Sequence, residues 1–99
     1  MYTLYVIYKS FPGKREEFLN RAKEAGVVDA VRNEDGCIRY DYYFSEKDEN
    51  ELLLVEAWES REHQQIHLTQ PHIAKLKAIK EECIESTEIS EFVTKEYGV

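Results

Sequence analysis

Cysteine and proline occur only twice each and glycine four times in 99 residues. Two thiols, Cys37 and Cys83, are too few for the disulfide framework that staples small secreted domains. The scarcity of glycine and proline leaves no flexible linker, and no repeat or low-complexity tract divides the chain. Residues 1–99 therefore read as a single folding unit. No apolar run approaches the length of a signal core or a membrane span. The expectation is a reduced, cytoplasmic protein in which each thiol is either reactive or a small buried hydrophobe. Basic residues are also in short supply: 13 face 20 acidic ones, a formal charge of −7. That balance disfavours nucleic acid and other long polyanions as partners. At this length a core buries only a modest share of the surface, so a partner subunit would help.

What is present is strong periodicity. Tyr2 to Lys9 (YTLYVIYK) is β-branched and aromatic, and it ends at the turn residues Ser10, Pro12 and Gly13. From Lys14 the spacing becomes helical, with Phe18, Ala22, Ala25, Val28 and Val31 on one stripe and Gly36 as terminator. Gly26 is a soft point within that single expected helix, worth about 1 kcal/mol relative to alanine. Cys37 to Ser45 and Glu51 to Trp58 read as antiparallel strands joined by the polar loop EKDEN. Ser60 suits an N-cap, with Glu62 near the positive end of the following helix dipole. A short helix runs to about Thr69. Pro71 then opens another helix, whose stripe is Ile73, Leu76, Ile79 and Cys83, with Lys75, Lys77 and Lys80 on the wet side. Thr87 to Thr94 closes the chain as a fourth strand. The fold class is α+β, and the order β-α-β-β-α-β is that of a ferredoxin-like antiparallel sheet.

Strand parity adds a partner. Leu53, Val55 and Ala57 on one side of the third strand, and Leu52, Leu54, Glu56 and Trp58 on the other, leave neither face polar. Two helical layers on one side cannot cover both, and a water-facing antiparallel sheet would alternate apolar with polar. A second copy packed sheet to sheet about a two-fold axis would complete the cover, so a homodimer is expected.

FPGKREEFL, EDGCIRYDYY, LLLVEAWES and the paired histidines of IHLTQPH, in that order across almost the whole chain, resemble the antibiotic biosynthesis monooxygenase (ABM) family. The likeness is to its small bacterial quinol monooxygenase branch. The resemblance implies a dimeric α+β barrel. It also implies oxidation of a quinol or polyphenol by molecular oxygen without metal, flavin or haem. Other members isomerise a small phosphorylated sugar signal or degrade haem, so a shared fold does not fix the chemistry. Haem degraders resemble one another in having an asparagine on the first strand, and Tyr2 to Lys9 has none.

Within this frame, Glu56 and Trp58 share one strand face, and Tyr40 and Tyr42 share another with Ile38 and Phe44. If both faces turn toward the helices, they form an aromatic cavity with one carboxylate, suited to a flat ring; otherwise the rings are simply core. Glu56, set in an apolar strand, must be paired, hydrogen-bonded or pKa-shifted, whether for structure or for function. His67 lies next to Ile66, taken as the buried side of its helix, and is the expected base. His63 is placed at the rim, and His72 either lines the pocket or caps the next helix. An imidazole that takes a proton from a quinol raises the ring's electron density and eases electron transfer to oxygen. A dry cage would protect the reactive pair. The expected catalytic residues are His67 and Glu56, with Trp58, Tyr40, Tyr42 and His72 binding substrate. A metal among His63, His67 and His72 is disfavoured, because the HExxH glutamate is missing and no carboxylate cluster surrounds them. The alternatives are an isomerase of a small carbonyl compound or phosphosugar, in which His67 and Glu56 only move protons, and a dimeric small-molecule-binding module.

Overall fold

The alternating apolar residues of the N-terminal segment form the centre of the sheet. In the computed structural model, which describes residues 1–98, β1 (Tyr2–Ser10) pairs antiparallel with β3 (Glu51–Trp58) on one side and β4 (Ile84–Val93) on the other. Strand β2 (Cys37–Phe44) pairs with β3, giving the order β2-β3-β1-β4. This is the expected ferredoxin-like α+β arrangement, and within one chain the sheet is open.

The helical layers differ from expectation in one respect. The single helix read from Lys14 onward is two: α1 (Arg15–Glu24) and α2 (Val27–Arg32). Gly26 sits between them at φ +76°, in the left-handed region, so the chain turns rather than bends. The turn lets α1 bury Phe18, Leu19 and Ala22 while α2 buries Val27, Val28 and Val31. Ala25, expected on the inner stripe, is instead the exposed C-cap of α1. On the C-terminal side, α3 (Arg61–His67) and α4 (Pro71–Cys83) follow as read, with Ser60 capping α3 through an acceptor bond from the His63 amide at 3.2 Å. Pro71 occupies the first turn of α4, where a missing N–H is harmless.

The even residues of β1 and β3 face the helices. Leu4, Val6, Tyr8, Leu52, Leu54 and Trp58 are all buried there against Phe18, Val31, Leu76 and Ile79. Each buried leucine or valine contributes about 1.5–3 kcal/mol. On β2, Tyr40 and Tyr42 face the same way, but Ile38 does not share their side. A bulge between Cys37 and Arg39 shifts the register, and Ile38 joins Thr3, Tyr5, Val55 and Ala57 along the opposite face. Phe44 stays on the helix side at the strand end, half-exposed, with the Arg15 guanidinium 4.3 Å from its ring centroid.

The far face is apolar and has no helix over it: Tyr5, Ile38, Tyr43 and Phe92 are each exposed, and Tyr5 meets Phe92 edge-on at 5.1 Å. Both free thiols are held protonated. Burial pushes Cys37 up to about 11, and burial with the neighbouring Glu17 raises Cys83. Among the described residues no helix is long and apolar enough to cross a membrane.

Gly36 also has positive φ, +79°, and a Cβ there would run into the His63 ring and its Cβ. Gly26 has open space around it. We therefore expect Gly26→Ala to cost about 1–2 kcal/mol from its left-handed backbone alone, and Gly36→Ala to cost distinctly more. Urea denaturation of both variants checks this ordering; equal losses would contradict it.

Candidate active site

The site is built where β2 and β3 run under α3. Trp58 is fully buried at the end of β3, and its Nε1–H donates to Glu56 Oε1 at 3.1 Å. That bond answers how a carboxylate survives in an apolar strand: its partner is the indole two residues along the same face. Burial nevertheless raises the Glu56 pKa, against the lowering effect of nearby His67 and the indole bond.

His67 is buried and packs over the indole, with ring centroids 4.7 Å apart, while Tyr40 meets it edge-on at 6.3 Å. The residue that places it is Gln64, not Ile66. Gln64 and His67, one helical turn apart, form the buried face of α3, and Ile66 is 60% exposed. A three-residue step on so short a helix puts the neighbour of His67 on the outside.

Glu34, which sequence reasoning did not single out, lies between two imidazoles. Its Oε2 accepts from His67 Nδ1 at 2.7 Å and from His72 Nε2 at 2.8 Å. His67 Nε2 points the other way, 3.9 Å from Glu56 Oε1. With a carboxylate oxygen against Nδ1, the proton of a neutral ring belongs on Nδ1, and Nε2 keeps its lone pair. His72 thus neither caps a helix nor touches the cavity; it shares the carboxylate that orients His67. His63 sits apart, hydrogen-bonded to Ser60 Oγ at 2.6 Å and packed over Gly36.

A cavity of about 280 Å³ opens between the sheet and α3–α4. Tyr40, Glu56 and His67 line it, together with Tyr8, Gln64, Lys80 and, toward its mouth, Arg61. Trp58 and Tyr42 do not reach the surface of the cavity. Trp58 backs His67, and Tyr42 backs Tyr40 through a 3.2 Å hydroxyl contact, with burial pushing the Tyr42 phenol up to about 12. Burial also raises Tyr40, so both phenols are neutral at physiological pH.

Lys80 is the other residue missed. Expected on the wet side of α4, it is half-buried, with Nζ 5.1 Å from the Tyr8 ring centroid and a pKa lowered by desolvation. The signal was there: position 80 is i+4 from Leu76 and i−3 from Cys83, inside the apolar stripe. A larger, shallower groove of about 400 Å³ at Met1, Ser60 and Phe92 shares Tyr2, Arg61 and Glu91 with the cavity mouth but contains no imidazole.

Comparison with known proteins matches the chain to a family. The family model described as antibiotic biosynthesis monooxygenase covers residues 1–78. The chain belongs to that ABM family. A Bacillus subtilis relative named "Putative monooxygenase YcnE" is 30% identical over 97 residues, covering 92% of this chain and all of the relative. The uncharacterized Synechocystis protein sll1783 is 34% identical over 61 residues, 62% of this chain, and the match spans only 40% of that relative's length. The crystal structure of PA3566 from Pseudomonas aeruginosa superposes with a TM-score of 0.83 at 20% identity, covering 96% of this chain and 94% of that one. At that identity the likeness is one of fold.

The raised pKa of Glu56 has a consequence for stability. A carboxyl whose folded pKa lies above its unfolded value opposes folding when ionised, and that opposition is fully present above the folded pKa. It is relieved as the pH falls through the folded pKa toward the ordinary value of 4.5. Glutamine keeps an acceptor for the indole without the charge. Glu56→Gln should therefore melt higher than the parent at pH 7, with the gap closing below the ordinary glutamate value. A gap that widens on acidification would contradict the assignment.

Proposed function

We propose that this ABM protein is a cofactor-independent monooxygenase of quinols or small polyphenols, with His67 as its base. The observation that carries the reading is the His67 ring, fixed through Nδ1 by Glu34 while Nε2 faces a cavity walled by Tyr40 and Tyr8. The family membership supports the oxygenase class; the quinol is what the resemblance to the quinol monooxygenase branch implies, and the aromatic wall of the cavity is compatible with a flat ring.

A quinol stacked in the cavity gives its hydroxyl proton to Nε2, leaving an imidazolium held by Glu34 and facing Glu56. The quinolate transfers one electron to dioxygen, forming a semiquinone and superoxide that recombine at a ring carbon bearing hydrogen. The imidazolium returns its proton to the peroxide, and loss of water from the hydroperoxide leaves one oxygen atom in the product and one in water. Lys80, a desolvated cation on the same cavity wall, is placed to hold the developing oxyanion. Trp58 and Tyr42 act from behind, keeping His67 and Tyr40 in position, and the enclosure limits side reactions with water.

The exposed apolar face of the sheet supports a homodimer as the working unit, with two sheets closing into an α+β barrel. Tyr5, Ile38, Tyr43 and Phe92 are the residues a second copy would cover. Arg61 and Lys80 favour a second reading. Two cations at the cavity suit an anionic substrate such as a phosphosugar, on which His67 and Glu56 would shuttle protons without oxygen.

Oxygen uptake separates the two. With menadiol-like quinols under air, the parent should consume oxygen above the autoxidation background, and His67→Ala should lower kcat on the order of 10²–10⁴-fold. No excess uptake with any quinol, together with a melting-temperature rise on adding sugar phosphates, would replace the oxygenase by the isomerase. For the dimer, light scattering at micromolar concentration should give twice the chain mass, and Tyr5→Asp combined with Ile38→Asp should give the single mass. A parent that is already monomeric would refute the barrel.

A further inference from the structure

We propose that Glu34, His67 and His72 form a binding site for one divalent transition-metal ion of the zinc, cobalt or iron(II) type, and that filling it withdraws His67 as a base. Three donor atoms, one from each residue, lie within 4.8 Å of one another. Both imidazoles converge on the same oxygen, Oε2, at 2.7 and 2.8 Å, rather than sharing the two oxygens of the carboxylate. That gathers three donor atoms about one point, and a metal that displaces the two ring protons would find all three within reach. Ligands of a tetrahedral ion at about 2.0–2.1 Å stand about 3.3 Å apart. The two nitrogen–oxygen separations of 2.7 and 2.8 Å therefore need to widen by about half an ångström, while the two nitrogens, within 4.8 Å of each other, settle to the same spacing.

Charge points the same way. The Glu34 carboxylate is only 10% exposed, and among the described residues its ion-pair partners are the two imidazoles, with no lysine or arginine. A buried carboxylate with that company is short of positive charge, which a divalent ion supplies. A separate cavity of about 180 Å³, bordered by Glu34, Asp35, His63, Ile66 and Gln70, reaches the cluster from outside. Two of its lining residues are acidic, Glu34 and Asp35, and Asp35 lies 3.5 Å from His63 Nε2. Of the three proposed ligands Glu34 borders that cavity, so a cation would approach from the carboxylate side. Two imidazole nitrogens and one carboxylate select borderline divalent metals over calcium or magnesium, which prefer all-oxygen sites.

The site lies behind the imidazole, since neither Glu34 nor His72 lines the substrate cavity. Coordination through Nδ1 moves the proton of neutral His67 to Nε2, with no net proton released. The Nε2–H then faces Glu56 Oε1, now 3.9 Å away, completing a carboxylate–histidine–metal chain anchored by the Trp58 indole. The atom that faces substrate becomes a donor and can no longer accept a proton. Under the oxygenase reading, a filled site is therefore an inactive one.

The full chain, stripped with a chelator, should be titrated with Co²⁺ followed by absorption and with Zn²⁺ followed by calorimetry. One ion per chain is expected, with Zn²⁺ displacing Co²⁺ and its ligand-field bands. Glu34→Gln and His72→Gln should each weaken binding at least tenfold, while His63→Gln leaves it unchanged. Melting temperatures without metal report whether each variant folds, and either of the two suffices. Nitrogen-15 spectra with Zn²⁺ should show the His67 proton on Nε2, a readout independent of turnover. Absence of saturable one-to-one binding, or binding lost in His63→Gln but kept in the other two, overturns the site. Binding that leaves the proton on Nδ1 overturns the withdrawal of the base. Neither result bears on whether the metal-free protein consumes oxygen.

Discussion

One carboxylate holds the functional end of this molecule together. Glu34 sits just after α2, and its Oε2 binds a histidine from α3 and another from the first turn of α4. Three segments that are separate in sequence are thereby fixed at a single oxygen atom. Charge-assisted bonds of this kind are shorter and about twice as strong as neutral ones. Here they also decide direction, because a ring held by Nδ1 presents Nε2 to the cavity.

The rest of the site is arranged around that ring. The indole of Trp58 supports one face, and the same indole supplies the hydrogen bond that keeps Glu56 from being a bare buried charge. Glu56 in turn lies on the Nε2 side of His67. The imidazole is thus held between two carboxylates, one bonded and fixed, the other at a distance where a proton, a substrate hydroxyl or a water can come between. A base held on one side by an orienting group and open to the reacting group on the other is the general logic of activated side chains. The surrounding tyrosines contribute as neutral, desolvated walls rather than as acids, since burial raises both Tyr40 and Tyr42.

Much of this was legible in the sequence, for identifiable reasons. Alternation over YTLYVIYK and ELLLVEAW marked two central strands, and Ser60 and Pro71 marked helix starts, because those signals are local. Strand parity put Glu56 with Trp58 and Tyr40 with Tyr42 but left open whether those faces turn toward the helices; in the structure they do. What failed was whatever depended on a single residue's displacement or on distance along the chain. The left-handed Gly26 turned an expected soft point into a full break between α1 and α2. The bulge after Cys37 moved Ile38 to the opposite face from Tyr40. Ile66 was taken as the inner residue of α3, when the three-residue step from Gln64 to His67 set that face. Glu34 carried no local signal at all: it meets His67 from 33 residues away. The expectation that no carboxylate cluster surrounds the histidines rested on sequence neighbourhood, whereas the tertiary fold brings Glu34 between two of them. Lys80 was read as wet because it is charged, although its spacing placed it on the buried stripe and its long stem lets the ammonium reach the cavity.

The central claim is that Glu34 fixes the tautomer of His67 so that a lone pair faces the cavity. Long-range proton–nitrogen NMR on the metal-free, isotopically labelled chain at slightly alkaline pH reads this directly. The account predicts a pyrrole-like Nδ1 and a pyridine-like Nε2 for His67, with the preference lost in Glu34→Ala. A His67 that carries its proton on Nε2 in the metal-free parent would contradict it.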